Sequence, residues 1–584
     1  MNFKLRLVAL LLTVMVFLSS CSVTWEGLLD FIPGIGGEQT TVAPTTTTIK
    51  RTSKSTSSTS TTTTAPKEEE ERWNVDEHSI TKGDVLERYT LTEEYVNETL
   101  ALLDTMVETA MAAETVDDID EIYVEFEEAF YHIAEQMTIA SIVYYCNMKD
   151  EVATERHLNA QKMFYSVQDK YTESCRTIYL DAPLGKEMFA DWSPEEIQAL
   201  LDFNPQTTKL KEEIEELQAE YNKLGSGQLF TDGSAEIYAQ LVTKNNELAR
   251  LYGYDNYYDY ATERVYGRDY TASDLDVFKD YVIEYIVPTF NTIYSNATAN
   301  NGEYLNGRAN DFLYGEFDSM ELPKNYVIEY LNSLGDTNMG VAMRDVFDSK
   351  NCVFSYNDNA HSTAFQTYLY EQETPFCLFG GSKESTTIVH EIGHYYAAYT
   401  NPDLDNYDLC ETHSQGNEFL FLTYCSKAMN AKLYSVIKAN QLYQVYATTV
   451  ISSVVDSFEQ KVYSLESVEG YGSEEFDAIM DEVIAEFGKN AAIFSHVNVK
   501  NYWRQVVINS PVYYISYAVS AVASVEILAL AEEDYDAAVQ AYIALVEGVA
   551  EEDENKFLEV LKKAGLTTPF EEETFRKVAS TMTR

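Results

Sequence analysis

His390-Glu391-Ile392-Gly393-His394, followed seventeen residues later by Glu411 in Glu411-Thr412-His413-Ser414-Gln415, is the stretch on which the reading of this chain turns. Two histidines four apart on a helix lie one above the other, so both imidazoles can reach a single metal ion. Glu391 falls between them, where its carboxylate can stand beside an attacking water as general base instead of on the metal. Zinc takes a third protein ligand and keeps one position open in catalytic sites, and two histidines with a glutamate is a common set. Glu411 is the candidate third ligand, which makes His390, His394 and Glu411 a zinc site with Glu391 as its base.

The flanks fit that reading. Pro375-Phe376-Cys377-Leu378-Phe379-Gly380-Gly381 has the composition of a short apolar strand closed by glycines, and Ser385 to Thr387 offer N-cap oxygens before the motif. Asn401-Pro402 stops the helix soon after His394. A strand edge beside a metal site would offer unpaired backbone groups to which an extended peptide could add, with an ordinary core strand covered by its neighbours as the alternative. Phe379, Gly380 and Gly381 are the candidate substrate-binding positions.

Working outward, Lys4 and Arg6 precede an apolar run from Leu7 to Leu18 that ends in Leu18-Ser19-Ser20-Cys21. The run suits a signal-peptide core and is too short for a permanent membrane span. Its last four residues resemble a bacterial lipobox, which makes residues 1–21 a lipoprotein signal segment, cleaved so that Cys21 becomes the lipidated N-terminus. Residues 22–72 are dominated between 38 and 66 by Thr and Ser, then by the acidic run Glu68 to Glu71. Such a segment buries too little apolar surface to offset its ordering entropy and reads as a flexible tether. The expected place is the extracytoplasmic face of a bacterial membrane.

A formal charge of -54 over 584 residues argues against nucleic acid and against adsorption on anionic lipid. Membrane attachment would then rest on the lipid alone, and no obligate protein partner is evident. Of seven cysteines, six remain beyond Cys21. Export permits disulfides, but the cysteines are sparse, form no Cys-x-x-Cys, and in several cases sit inside apolar runs as small hydrophobes.

From about residue 85 the pattern is helical. Leu210, Ile214, Leu217, Tyr221 and Leu224 recur at intervals of four and three between Pro205 and Gly225, marking one amphipathic helix packed on its own domain. Glu94 to Ala113, Val124 to Tyr145 and Ala537 to Val546 carry the same periodicity, and strand signals gather only between 351 and 381. The expected fold is mostly α, with a small β-sheet whose last strand borders the zinc-site helix. Residues 73–205 would form an N-terminal helical lobe and 206–584 the catalytic domain.

Four segments together carry a resemblance: Pro375 to Gly381, His390 to His394, Glu411 to Gln415, and Ser510-Pro511-Val512-Tyr513-Tyr514-Ile515-Ser516-Tyr517-Ala518. With a fainter match from Leu251-Tyr252-Gly253-Tyr254 to Tyr270-Thr271, they are similar to the oligoendopeptidase F and thimet oligopeptidase family of zinc metallopeptidases. The resemblance implies a two-lobed helical clamshell whose deep cleft admits short unfolded peptides. It also implies that Tyr514 and Tyr517 donate hydrogen bonds to the oxyanion of the attacked carbonyl, a task the chemistry requires.

Two departures stand out. The family's histidine shortly before the tyrosine segment is missing from 497 to 513, His496 being the nearest, and His413 stands where proline is frequent. His413 reads as a packing or surface residue, with contact to the metal or its ligands as the alternative; Glu418, two turns from Glu411, is a candidate partner for a ligand. Besides a zinc endopeptidase, the residues leave open a zinc carboxypeptidase or dipeptidase on a similar fold and a peptide-binding lipoprotein without catalysis, although binding alone has no need of Glu391.

Overall fold

A computed structural model describes residues 75–584 apart from 193, 202–203, 205, 225–227, 316–320, 362–363, 382, 403, 405, 489–491, 496–497 and 549–555. The leader, the tether, Cys21 and His496 lie outside the described residues.

Three long helices build the first core: α1 (Glu93–Ala112), α2 (Asp120–Tyr145) and α3 (Glu151–Asp181). Thr92 caps α1 by accepting the Tyr95 N–H, and Asp150 caps α3 by accepting those of Val152 and Ala153, which satisfies donors a helix start leaves free. Leu103, Met106, Phe126, Phe130, Phe164 and Tyr171 interlock between them. A second, larger core begins with α4 (Gln206–Asn222), the helix expected from the heptad pattern: Ile214 and Tyr221 are buried, with Leu210, Leu217 and Leu224 packed at its margin.

Between the two cores stands the sheet. After α5 (Asn338–Asp348) come β1 (Cys352–Phe354), β2 (Ala364–Leu369) and β3 (Thr374–Phe379), in the spatial order β1-β3-β2. β3 runs parallel to β1, Val353 opposite Leu378, and antiparallel to β2, Phe365 opposite Leu378. Successive side chains of a strand point to opposite faces. Val353, Phe365, Leu369, Phe376 and Leu378 meet Ile139, Ile142 and Val143 of α2, while Cys352, Phe354, Ala364, Cys377 and Phe379 join the second core. Burial on both faces explains the unbroken apolar run at 376–379, and each fully buried Leu, Val or Phe there contributes roughly 1.5–3 kcal/mol.

This order corrects one expectation. β3, the strand just before His390 in sequence, has no free edge because both its sides are paired; the outer strands are β1, bridged through Val353 to Ile80, and β2, with no strand beyond it among the described residues.

The second core continues through α6 (Ser385–Thr400), α7 (Tyr407–Cys425), α8 (Ala431–Tyr463), α9 (Ile515–Glu533) and α10 (Tyr535–Glu547). By length and composition α9 could cross a membrane, yet it is a core helix, with 83% of its apolar window buried. All six cysteines among the described residues are buried thiols, the small hydrophobes their context implied.

Candidate active site

α6 carries the histidine pair. Its N-cap position is Glu384, without a side-chain cap, and Ser385 to Thr387 lie inside the first turn, so the expected hydroxyl cap is corrected: the helix begins one residue earlier than the hydroxyls suggest. Asn401 ends it as expected. α7 crosses α6 at Gly393, where an added Cβ would stand 2.8 Å from the Ser414 Cα and 2.9 Å from the His413 carbonyl oxygen. Only a residue without a side chain allows that approach. Asn417 reinforces the crossing by donating to the Val389 carbonyl at 2.8 Å and accepting the Tyr330 hydroxyl at 2.6 Å.

The crossing brings Glu411, at the start of α7, onto the imidazoles. The two Nε2 atoms of His390 and His394 are 3.2 Å apart, and Glu411 Oε2 lies 3.5 Å from the first and 3.9 Å from the second. Ligands held at roughly 2.0–2.2 Å around a tetrahedral zinc stand about 3.3–3.6 Å from one another. The three donors therefore already outline one face of such a tetrahedron, all within 4.8 Å of each other. Their chemistry, two imidazole nitrogens and one carboxylate oxygen, is that of a catalytic zinc set.

Two of these side chains, His390 and Glu411, are held from behind. His390 Nδ1 lies 2.7 Å from Glu418 Oε1, so its proton points at Glu418 and the Nε2 lone pair faces the site. Glu418 is two turns from Glu411 on one face of α7, and its other oxygen accepts from Gln441 Nε2 of α8 at 2.7 Å. On Glu411, Ser414 Oγ donates to Oε2 at 3.2 Å and the Tyr513 hydroxyl donates to Oε1.

The electrostatics follow from burial and these pairings. Burial opposes charge on His390, but Glu411 and Glu418 outweigh it and raise its basicity well above normal. His394 is pushed down to about 3, chiefly by burial. Burial pushes the Glu391 carboxyl up to about 8. One of its oxygens, Oε2, has no partner, and the backbone N–H of Gln366 in β2 supports the carboxylate. A divalent cation among the three donors would draw that value back down. His390, Glu391, His394 and Glu411 are 3, 1, 3 and 0% exposed, so the site is closed to solvent.

The remaining expected residues fall elsewhere. Tyr514 has a buried hydroxyl without a partner, and the charges it senses are Tyr502 and Glu459. Tyr517 stands edge-on to Tyr513, ring centroids 5.2 Å apart. The tyrosine of this segment recorded against Glu411 is thus Tyr513, the one the tyrosine-rich segment gave no reason to prefer. Around the glycine turn, the Phe379 carbonyl accepts the Ser355 N–H at 2.8 Å, the Gly380 carbonyl accepts Lys383 Nζ at 2.8 Å, and the Gly381 N–H donates to the His361 carbonyl at 2.7 Å. These three backbone groups are occupied within the chain. His413 is a packing residue: Nε2 donates to the Leu545 carbonyl at 3.1 Å, tying α7 to α10, and burial pushes it down to about 4.

No protein-family model and no curated protein matches the sequence. Solved structures do match. A crystal structure named as an oligoendopeptidase F superimposes with a TM-score of 0.67 at 16% identity, over 86% of this chain and 98% of that one. One named as an oligoendopeptidase F from Bacillus anthracis gives 0.60 at 16%, over 84% and 95%. PZ peptidase A with an inhibitor gives 0.64 at 17%, over 84% and 96%. The chain has the oligoendopeptidase F fold.

Proposed function

We propose that the chain is a zinc metallopeptidase cutting short, unfolded peptides, exported and held at the outer face of a bacterial membrane by a lipid on Cys21. The observation that carries the catalytic part is the convergence of His390, His394 and Glu411 beside a buried Glu391 with an unpartnered oxygen. The likeness to oligoendopeptidase F structures supports it. The signal-like leader and its Cys21 support the location.

His390, His394 and Glu411 would hold one zinc per chain. When bound, zinc supplies Lewis acidity, which polarises a carbonyl and makes water acidic near neutral pH. Glu391 takes the proton of the attacking water and returns it to the leaving amine. Its supporting Gln366 N–H keeps the carboxylate aimed across the site. Of the two tyrosines expected to donate to the oxyanion, we favour Tyr517, whose ring stands against Tyr513, the tyrosine that bonds Glu411. The peptide backbone would run along the terminal strand β2, not β3. With the catalytic groups buried, substrate enters only when the fold around them opens, which favours thin, extended chains over folded proteins.

Incubating the protein with a nonapeptide blocked at both ends, with and without a chelator, and reading fragments by mass spectrometry tests this. Internal cleavage that is lost with chelator and restored by zinc is expected. Cleavage confined to peptides with a free end would make it an exopeptidase, and no cleavage of either would leave a binding protein. Loss of lipid labelling in Cys21→Ser checks the anchor.

A further inference from the structure

Val512 adopts φ 66°, the left-handed region that a β-branched residue enters only under constraint. The constraint is visible on both sides of the residue. Its N–H donates to Glu459 Oε1 of α8 at 2.7 Å, and its carbonyl accepts from an Arg268 guanidinium nitrogen at 2.8 Å. The preceding Pro511 carbonyl accepts the Tyr266 hydroxyl at 2.7 Å, and Arg268 also reaches Ser516 Oγ at 3.0 Å. Glu459 and the Arg268 side chain are wholly buried, so their bonds form away from competing water.

The next residue is Tyr513, whose hydroxyl donates to Glu411 Oε1. Its ring is boxed by Tyr266, Tyr407 and Tyr517, with centroids 5.6, 5.9 and 5.2 Å away. A carboxylate has two equivalent oxygens and can turn. With Oε1 engaged by Tyr513, Oε2 alone faces the histidines, and Glu411 is preset as a one-oxygen ligand. Were Val512 to relax to negative φ, the chain direction at Tyr513 would change and the hydroxyl would leave Glu411.

We propose that Tyr513 is a positioning residue for the third metal ligand, and that Glu459 keeps it there by clamping Val512 in its left-handed conformation. The inference rests on the zinc reading of the site and adds to it the device that orients Glu411.

Zinc affinity of the whole chain, measured by competition with a chromophoric chelator beside the thermal midpoint of the metal-free protein, tests it. Tyr513→Phe keeps the ring and should lower affinity about 10- to 100-fold with the midpoint nearly unchanged. Glu459→Leu should lower it likewise, while Glu459→Gln, which retains an acceptor oxygen, should restore it. In a Val512→Gly background the Glu459→Leu effect should shrink to less than about threefold, because glycine takes positive φ unaided. Tyr513→Phe within twofold of the unaltered chain overturns the positioning role. A Glu459→Leu loss undiminished by Val512→Gly overturns the clamp. An unaltered chain that takes up no zinc fails the functional reading itself, a different result from either.

Discussion

Glu418 Oε1 lies 2.7 Å from His390 Nδ1, while Glu411 Oε2 stands 3.5 Å from the other ring nitrogen, Nε2. The Glu418 bond would hold a proton on Nδ1 when a metal is bound, so that Nε2 could present a lone pair to it, and Gln441 fixes Glu418 in turn. Partners of this kind are typically worth 10- to 100-fold in metal affinity. Glu418→Ala should therefore weaken zinc binding by about that factor and leave the oligoendopeptidase-like fold intact by circular dichroism. Titration against a chelator reads the change.

Gly393 sets the distance between α6 and α7. In Gly393→Ala the new methyl meets backbone at 2.8 and 2.9 Å, which no side-chain rotation relieves. Overpacking of this sort costs roughly 1–3 kcal/mol. The expected result is a lower thermal midpoint and weaker zinc binding together, since separating α6 from α7 moves Glu411 off the imidazoles.

His157 provides a pH test away from the metal. It is buried, its Nδ1 is 3.0 Å from Ser141 Oγ, its ring stacks on Tyr144, and burial pushes it down to about 3 from 6.5. The native state thus takes a proton less readily than the unfolded chain. The contribution is complete above pH 6.5 and is lost as pH falls from 6.5 toward 3. Between pH 7 and pH 5 this one group should cost about 2 kcal/mol of stability. Urea unfolding at the two pH values, compared with His157→Gln, should show a smaller acid loss in the variant.

How legible the molecule was depended on range in sequence. The histidine pair and Glu391 were readable because a helix places residues four apart together whatever surrounds it. Glu411 and Glu418 follow from the same periodicity on α7. The close crossing at Gly393 that unites the helices carries no local mark beyond the glycine itself. The choice of Tyr513 over Tyr514 was not readable, because it depends on a backbone angle at Val512 that bonds from Arg268 and Glu459, far apart in the chain, impose. Strand positions were legible from composition, but not that β3 would be central, since β1 joins it in parallel only after the chain returns through β2. The hydroxyls at 385–387 misled by one residue because Glu384, not a usual cap, starts the helix.

The most direct test of the zinc-peptidase account is elemental analysis joined to peptide turnover in Glu391→Gln beside the unaltered protein. The account predicts one zinc per chain in both and turnover at least about 100-fold lower in the variant, since the metal is held by His390, His394 and Glu411 while Glu391 moves the proton. No stoichiometric zinc in the reconstituted unaltered chain, or undiminished turnover in Glu391→Gln, would contradict it.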